Sequence, residues 1–119
     1  MKKDDTVYLR HIRDAIEQIG EYLEGVSVEQ FMHKRILQDG VVRQLEIMGE
    51  ASRNISNDLC QQYSQVPWGQ MIGLRNRVIH AYFDVNLQIV WEIVENDLPL
   101  LQQQIELILK GADEQDASY

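Results

Sequence analysis

The clearest indication of the fold class comes from residues 9–23, which read LRHIRDAIEQIGEYL. Apolar side chains recur there at alternating spacings of three and four, a period that places them on one face of an α-helix. Asp4, Asp5 and Thr6 are candidate caps that add favourable negative charge at the helix start, and Gly25 is expected to end the helix. The apolar stripe consists of Leu9, Ile12, Ile16, Ile19 and Leu23.

Moving outward from this helix, the sequence predicts a short second helix that begins after Ser27. Ser27 and Gln30 have the spacing of a capping box, in which each side chain binds the backbone N–H of the other residue. Phe31 and Met32 are the expected core contacts of this helix. Asp39-Gly40 either breaks the piece from the next helix or lies in a kinked continuation, and the sequence leaves both possibilities open.

A third helix is predicted from an apolar stripe that small residues interrupt. A glycine in mid-helix is less stable than alanine by about 1 kcal/mol, so Gly49 needs a reason, and the ordinary reason is close approach of another helix. The stripe consists of Val41, Leu45, Met48, Ile55 and Leu59.

Two further helices are delimited by prolines and turn residues. Val66-Pro67-Trp68 is expected to open the fourth helix, because proline suits the first helical position, and this helix is expected to end near Tyr82. The fifth begins at about Leu87, and Pro99 should kink or divide it. Its core stripe is Leu87, Val90, Val94, Leu98, Leu101, Ile105 and Ile108, while Ile89, Ile93 and Leu100 lie outside the stripe.

Together these patterns predict an all-α protein: an antiparallel bundle of four long helices plus a short one. No convincing strand-like alternation is present. The 119 residues are expected to form one helical domain over residues 1–110, followed by a flexible acidic tail over residues 111–119.

Composition narrows the possible functions. No apolar run has the length needed to span a bilayer, and a single cysteine, Cys60, excludes an internal disulfide, so a cytoplasmic location is expected. The net charge of −8 argues against a long electrostatic track for nucleic acid. A local basic pocket that contacts one or a few phosphates remains compatible with this net charge.

Residues 73–82, GLRNRVIHAY, concentrate the groups that could carry chemistry. Arg75 is a permanent cation suited to bidentate contact with phosphate, and His80 exchanges a proton near neutral pH. Together they point to metal-free chemistry on a phosphate ester. On a regular helix the two side chains diverge by roughly 140°, so they converge only if the helix unwinds near His80 or if two chains share the site.

The neighbouring positions fit the same region. Asn76 and Arg77 lie four and three residues before His80, on its helical face, and Tyr82 shares the face of Arg75. A structural interpretation stays open beside the catalytic one, because helical arginines are often only solvated charges and a terminal histidine only a dipole partner.

Other chemistry-bearing residues favour structural or solvated roles. Glu46 and Glu50 have the spacing of half a carboxylate metal site, but the Glu-x-x-His partner is missing, so no metal site is expected. Trp68 and Trp91 are expected to be core anchors, and Cys60 is expected to be inert. Surface solvation is expected for His11, Arg13 and the cluster His33-Lys34-Arg35.

The Arg75-Asn76-x-x-x-His80-x-Tyr82 pattern resembles the HEPN domain motif in its HepT toxin branch. The resemblance covers about residues 4–110. It includes Phe31 after Ser27-Val28-Glu29, residues 45–51 (LEIMGEA) and Val66-Pro67-Trp68. It also includes residues 82–85 (YFDV), 90–94 (VWEIV) and 97–99 (DLP).

This resemblance implies a helical-bundle ribonuclease toxin that works as a homodimer on RNA without a cofactor. It implies as partner a minimal nucleotidyltransferase antitoxin of the MntA type, which silences the toxin by transferring adenylyl groups from ATP to the motif tyrosine. By position, the motif arginine is Arg75, its polar neighbour Asn76, the histidine His80 and the modified tyrosine Tyr82, with Arg77 as a further phosphate-binding candidate. The alternative is a catalytically silent HEPN module that dimerises and pairs with a nucleotidyltransferase.

Overall fold

A computed structural model describes residues 2–81 and 84–117, without the side chains of Lys3, His80, Ala81 and residues 114–117. Helices occupy most of the described chain, and a two-stranded antiparallel hairpin and one π-helical turn (Ile93–Asp97) interrupt them. The strands are β1 (Ile79–Ala81) and β2 (Asp84–Val85). The helices are α1 (Lys3–Leu23), α2 (Val28–His33), α3 (Arg35–Asn54), α4 (Asn57–Gln62), α5 (Trp68–Ile72), α6 (Leu74–Val78), α7 (Leu87–Glu92) and α8 (Leu98–Ala117).

The long helices α1, α3 and α8 form the body of the molecule, with α1 packed against the other two. Leu9, Ile12, Ile16 and Ile19 of α1 are buried, as the period of three and four predicts. The stripe of the third helix is also buried, including Ile55 and Leu59 beyond the end of α3. The prediction of an all-helical fold is confirmed. No helix among the described residues is long and apolar enough to cross a membrane.

The capping box at Ser27 is present. The backbone N–H of Gln30 donates to Ser27 Oγ at 3.1 Å, and the Ser27 N–H donates to Gln30 Oε1 at 2.9 Å. Phe31 is fully buried and packs on the Trp91 ring at 5.4 Å between centroids. The boundary between α2 and α3 lies at Lys34. Helix α3 then runs through Asp39-Gly40 without interruption. Asp39-Gly40 therefore does not separate the two helices, and the break falls five residues earlier.

The third helix ends earlier than the sequence predicts. Its stripe spans two helices, since α3 stops at Asn54 and α4 begins at Asn57 with Ser56 as its cap. Ser56 also donates its backbone N–H and its hydroxyl to the two carboxylate oxygens of buried Asp5, at 2.8 and 2.7 Å. Asp5, expected as a candidate cap of α1, therefore ties the start of α1 to the start of α4.

The prediction of one long fourth helix up to Tyr82 is wrong. Pro67 precedes the first helical residue and serves as the cap position of α5, and Gly73 separates α5 from α6. Helix ends at Val78, and the β-branched Ile79 begins the short strand β1, a strand that the sequence pattern did not indicate. The fourth helix of the predicted bundle is therefore two five-residue helices followed by a hairpin.

The fifth helix is interrupted just before Pro99, as predicted. The N–H of Leu98 donates to the carbonyl of Ile93, five residues back, which defines the π-helical turn and makes room for the proline ring. Ile93 is buried on the same side as Val90, three residues earlier, so its predicted place outside the stripe is wrong, while Leu100 is exposed as expected. The helix then continues past Gly111 to Ala117, over most of residues 111–119.

Candidate active site

The segment that carries the motif is anchored by two apolar side chains of α6. Leu74 and Val78, four residues apart, are both buried and fix the inner face of this short helix. The intervening side chains must then point outward, and Arg75, Asn76 and Arg77 are all exposed. The cationic part of the motif is therefore presented to solvent by a helix whose other face belongs to the core.

His80 lies on a different backbone segment from Arg75. The chain leaves the helix after Val78, and β1 pairs with β2 through Ile79–Val85 and Ala81–Asp84. The Asn86 N–H donates to the Val78 carbonyl at 2.7 Å and closes this turn of the chain. The helix therefore ends before His80, which is one of the two ways in which the motif could converge. The His80 side chain and the whole of Tyr82 lie outside the described residues.

Arg75 has an ion-pair partner that sequence analysis assigned to a solvated face. Its Nε lies 3.6 Å from Glu46 Oε2 on α3, and the Glu46 side chain is 32% exposed against 69% for Arg75. Glu46 falls within residues 45–51, which resemble the HepT branch, but no spacing within the chain relates position 46 to position 75. Glu46 is therefore a site residue that the sequence pattern did not indicate.

Gly49 determines how closely the motif segment approaches α3. A Cβ atom at this position would lie 2.9 Å from the Met71 carbonyl oxygen of α5, closer than van der Waals contact permits. The expectation that Gly49 marks close helix approach is thus confirmed. The result is a small cleft of about 190 Å³ that is lined by Arg43, Glu46, Gly49, Glu50, Arg53, Ile72 and Arg75.

Arg77 faces another partner. Its Nη1 lies 3.3 Å from Asp97 Oδ2 in the π-helical turn, and both side chains are about half exposed. Arg77 does not belong to the lining of the Arg75 cleft. The structure thus separates the two arginines that the sequence placed together as phosphate-binding candidates.

The remaining candidates have structural contacts. Trp68 is buried and donates its indole N–H to the Tyr63 carbonyl at 3.0 Å, which confirms its role as a core anchor. Burial raises the pKa of the Cys60 thiol, and the negative charge of Asp5 raises the pKa further, so this side chain is a poor nucleophile near neutral pH.

Comparison with known proteins identifies the family. The model of the "Ribonuclease HepT-like" family matches residues 12–108, which is most of the chain. The chain belongs to the ribonuclease HepT-like family. This confirms both the HepT resemblance and the prediction that the protein is an enzyme of the ribonuclease class.

Relatives and a solved structure support the assignment. A protein of Thermococcus cleftensis named a probable ribonuclease HepT is 39% identical over 92% of this chain and 100% of its own length. A Methanocaldococcus jannaschii protein, named as a gamma-glutamylcyclotransferase and candidate RNase, is 37% identical over 95% of this chain, which spans only about half (51%) of that relative. A solved structure also matches, that of the tri-AMPylated HEPN toxin of Shewanella oneidensis in complex with an MNT antitoxin. It superposes on this chain with a TM-score of 0.67 at 25% sequence identity, and the match covers 91% of this chain and 98% of the toxin chain.

Proposed function

We propose that this HepT-like protein is the ribonuclease toxin of a toxin–antitoxin pair and that it cleaves RNA without a metal ion through Arg75 and His80. The observation that carries the proposal is the end of α6 at Val78. Because the helix stops between the two residues, the geometric objection to their convergence, the divergence expected on a regular helix, no longer applies. Family membership gives the reaction class.

The proposed reaction uses the nucleophile that RNA itself supplies. His80 takes the proton of the ribose 2′-OH, and the resulting oxygen attacks the adjacent phosphorus. Arg75 neutralises the non-bridging oxygens as charge develops, and Asn76 orients His80 or donates to the phosphate. The bond from phosphorus to the 5′-oxygen breaks, and that oxygen takes a proton from a general acid. The products are a 2′,3′-cyclic phosphate and a 5′-OH.

The general acid in this scheme is the His80 of a second protomer, so the proposal includes a homodimer whose seam lies beside the motif segment. Exposed apolar side chains, such as Leu100 at 60% and Ile72 in the Arg75 cleft, are available to such an interface. Sedimentation at micromolar concentration should give twice the monomer mass of 13.9 kDa. A monomer alone at that concentration contradicts the dimer.

Control is proposed to act through Tyr82 and an MntA-like minimal nucleotidyltransferase. The tyrosine oxygen attacks the α-phosphorus of ATP, pyrophosphate leaves, and the tyrosine proton passes to solvent. The solved HEPN toxin that this chain resembles is AMPylated and bound to an MNT antitoxin, which supports this part of the proposal. An AMP group two residues from His80 adds negative charge where RNA phosphate must bind.

The decisive experiment incubates the purified protein with defined RNAs in excess chelator. Wild type should cleave, and both Arg75→Ala and His80→Ala should lose about 10²–10⁴ in rate, the usual effect of removing a proton-transfer or charge-stabilising group. Arg10→Ala and His11→Ala on α1 are matched controls that should cleave like wild type. Cleavage that requires metal, or that survives His80→Ala, contradicts the mechanism. Absence of any cleavage by wild type favours the silent binding module.

Modification is tested separately by intact-mass measurement after incubation with the cognate nucleotidyltransferase and ATP. Wild type should gain whole AMP units and lose cleavage, whereas Tyr82→Phe should gain none and stay active. Equal mass gain in the two proteins places the modified residue elsewhere.

A further inference from the structure

Arg43 on α3 stands where two clefts meet. The smaller cleft is the one that contains Arg75, and the larger, of about 520 Å³, extends to Asp84 and Val85 of β2, the strand paired with the one that carries His80. Arg43 and Glu46 are the two side chains that line both clefts. Arg43 is exposed, so its guanidinium is available to a ligand in either.

The ion pairs of these clefts distinguish Arg43 from its neighbours. Among the side chains that the structure describes, none forms an ion pair with the Arg43 guanidinium, so no described carboxylate neutralises its charge. The other three arginines of the two clefts each face a carboxylate: the pairs are Arg35–Asp39 at 3.7 Å, Arg53–Glu50 at 4.0 Å and Arg75–Glu46 at 3.6 Å.

Arg43 and Arg75 line the same small cleft, from α3 and α6 respectively. Arg43 and Glu46 are three residues apart on α3, which puts their Cβ atoms about 5–6 Å from one another on the same face. Arg75 approaches Glu46 from α6. Arg43 therefore lies on the same face of α3 as the partner of Arg75, and a strand that runs from Arg75 toward the hairpin follows the two clefts that Arg43 lines.

Charge in the larger cleft limits where a phosphate can lie. Asp84 is exposed there and repels phosphate, although its oxygens can accept hydrogen bonds from ribose hydroxyls or base amino groups. The unpaired cation at the junction is consequently the position that suits the next phosphate. This matters in a chain with 19 acidic and 11 basic residues, because its overall negative charge repels RNA and local cations must supply the attraction.

We propose that Arg43 binds the RNA phosphate adjacent to the one that is cleaved, one nucleotide along the strand toward the hairpin. The proposal rests on the proposed ribonuclease function, in which Arg75 holds the scissile phosphate. Arg43 contributes to RNA affinity and to the register of the strand, while Arg75 acts on the reacting group. The phosphate of AMP has the same chemistry as an RNA phosphate. The experiment is therefore designed to distinguish RNA from AMP as the ligand of Arg43.

The test measures binding of a short single-stranded 2′-O-methyl RNA, which lacks the nucleophilic hydroxyl and cannot be cleaved. Arg43→Gln should weaken binding about five- to tenfold and lower the salt slope of log K by about one, the expected result of losing one phosphate contact. Arg10→Gln on α1 is the matched control, because it removes the same charge from an exposed arginine outside both clefts, and it should change binding less than twofold. Competition by free AMP should be equal in wild type and Arg43→Gln.

Kinetics on cleavable RNA give an independent readout. Arg43→Gln should raise KM by about the same five- to tenfold with kcat within about twofold, because only substrate binding is affected. Its melting temperature should equal that of wild type.

If wild type cleaves RNA but Arg43→Gln binds and cleaves like Arg10→Gln, the Arg43 assignment is wrong and the ribonuclease function stands. If AMP competition weakens in Arg43→Gln, the phosphate at Arg43 belongs to the nucleotide. If wild type neither binds nor cleaves RNA, both proposals fail.

Discussion

The bundle of α1, α3 and α8 and the motif segment from Trp68 to Val85 are held together in different ways. Each long helix of the bundle carries its own apolar stripe, and α1 packs against both α3 and α8. The motif segment consists of two five-residue helices and a hairpin, too short to be stable alone, and it depends on a few anchors such as Leu74 and Val78. Stability therefore resides mainly in the bundle, and the exposed charged residues of the motif are free to serve chemistry.

The largest expected effect compares a buried with an exposed isoleucine, both outside the motif segment. Ile93 is 1% exposed and packs in the π-helical turn, so Ile93→Ala should lower the free energy of unfolding by about 2–5 kcal/mol. Ile36→Ala removes the same atoms from a side chain that is 82% exposed and should stay within about 0.5 kcal/mol of wild type. Chemical denaturation of the two variants checks this, and equal losses contradict the core position of Ile93.

The second expected effect lies at the contact between the two regions. Gly49→Ala places a methyl group against the Met71 carbonyl and should destabilise the protein by about 1–3 kcal/mol, since α3 and α5 must move apart. Gly20→Ala in α1 meets nothing within 4 Å and should instead stabilise by about 0.5–1 kcal/mol. Thermal denaturation of the pair measures both signs. Stabilisation by both substitutions contradicts the close approach.

A third, smaller effect separates activity from stability in the motif segment. Arg75→Gln breaks an ion pair whose arginine is mostly exposed and should change the free energy of unfolding by less than about 1 kcal/mol. The same variant should lose RNA cleavage. Denaturation and cleavage measured on one preparation test this, and a large loss of stability contradicts the view that the pair contributes little to folding.

The smallest effect concerns Cys60 beside the junction of α1 and α4. Its raised pKa keeps the thiol protonated at neutral pH, so alkylation should be slower than in the denatured protein, and its pH profile should shift upward. Asp5→Asn should move the profile slightly downward, because burial is the larger cause and remains. A thiol that reacts in the folded state as fast as in denaturant contradicts this picture.

The sequence by itself determined the features that depend on neighbours along the chain. The period of the apolar residues located the long helices and most of the buried side chains. The Ser27–Gln30 capping box and the interruption before Pro99 followed from residues close together in the sequence. Gly49 indicated the close approach of another helix. The Arg75–His80 motif and its flanking segments identified the HepT-like family.

Only the tertiary structure decided the features that join residues distant in the chain. Asp5 with Ser56 and Glu46 with Arg75 meet because helices pack, and no spacing encodes such pairs. The end of α6 at Val78 depends on anchoring against α3 and on pairing of the hairpin, both of which outweigh a weak local preference for helix. The sequence predicted that Pro99 kinks or divides the helix, and only the tertiary structure shows that the interruption is a π-helical turn at Ile93–Asp97, because either form relieves the clash of the proline ring with the preceding turn.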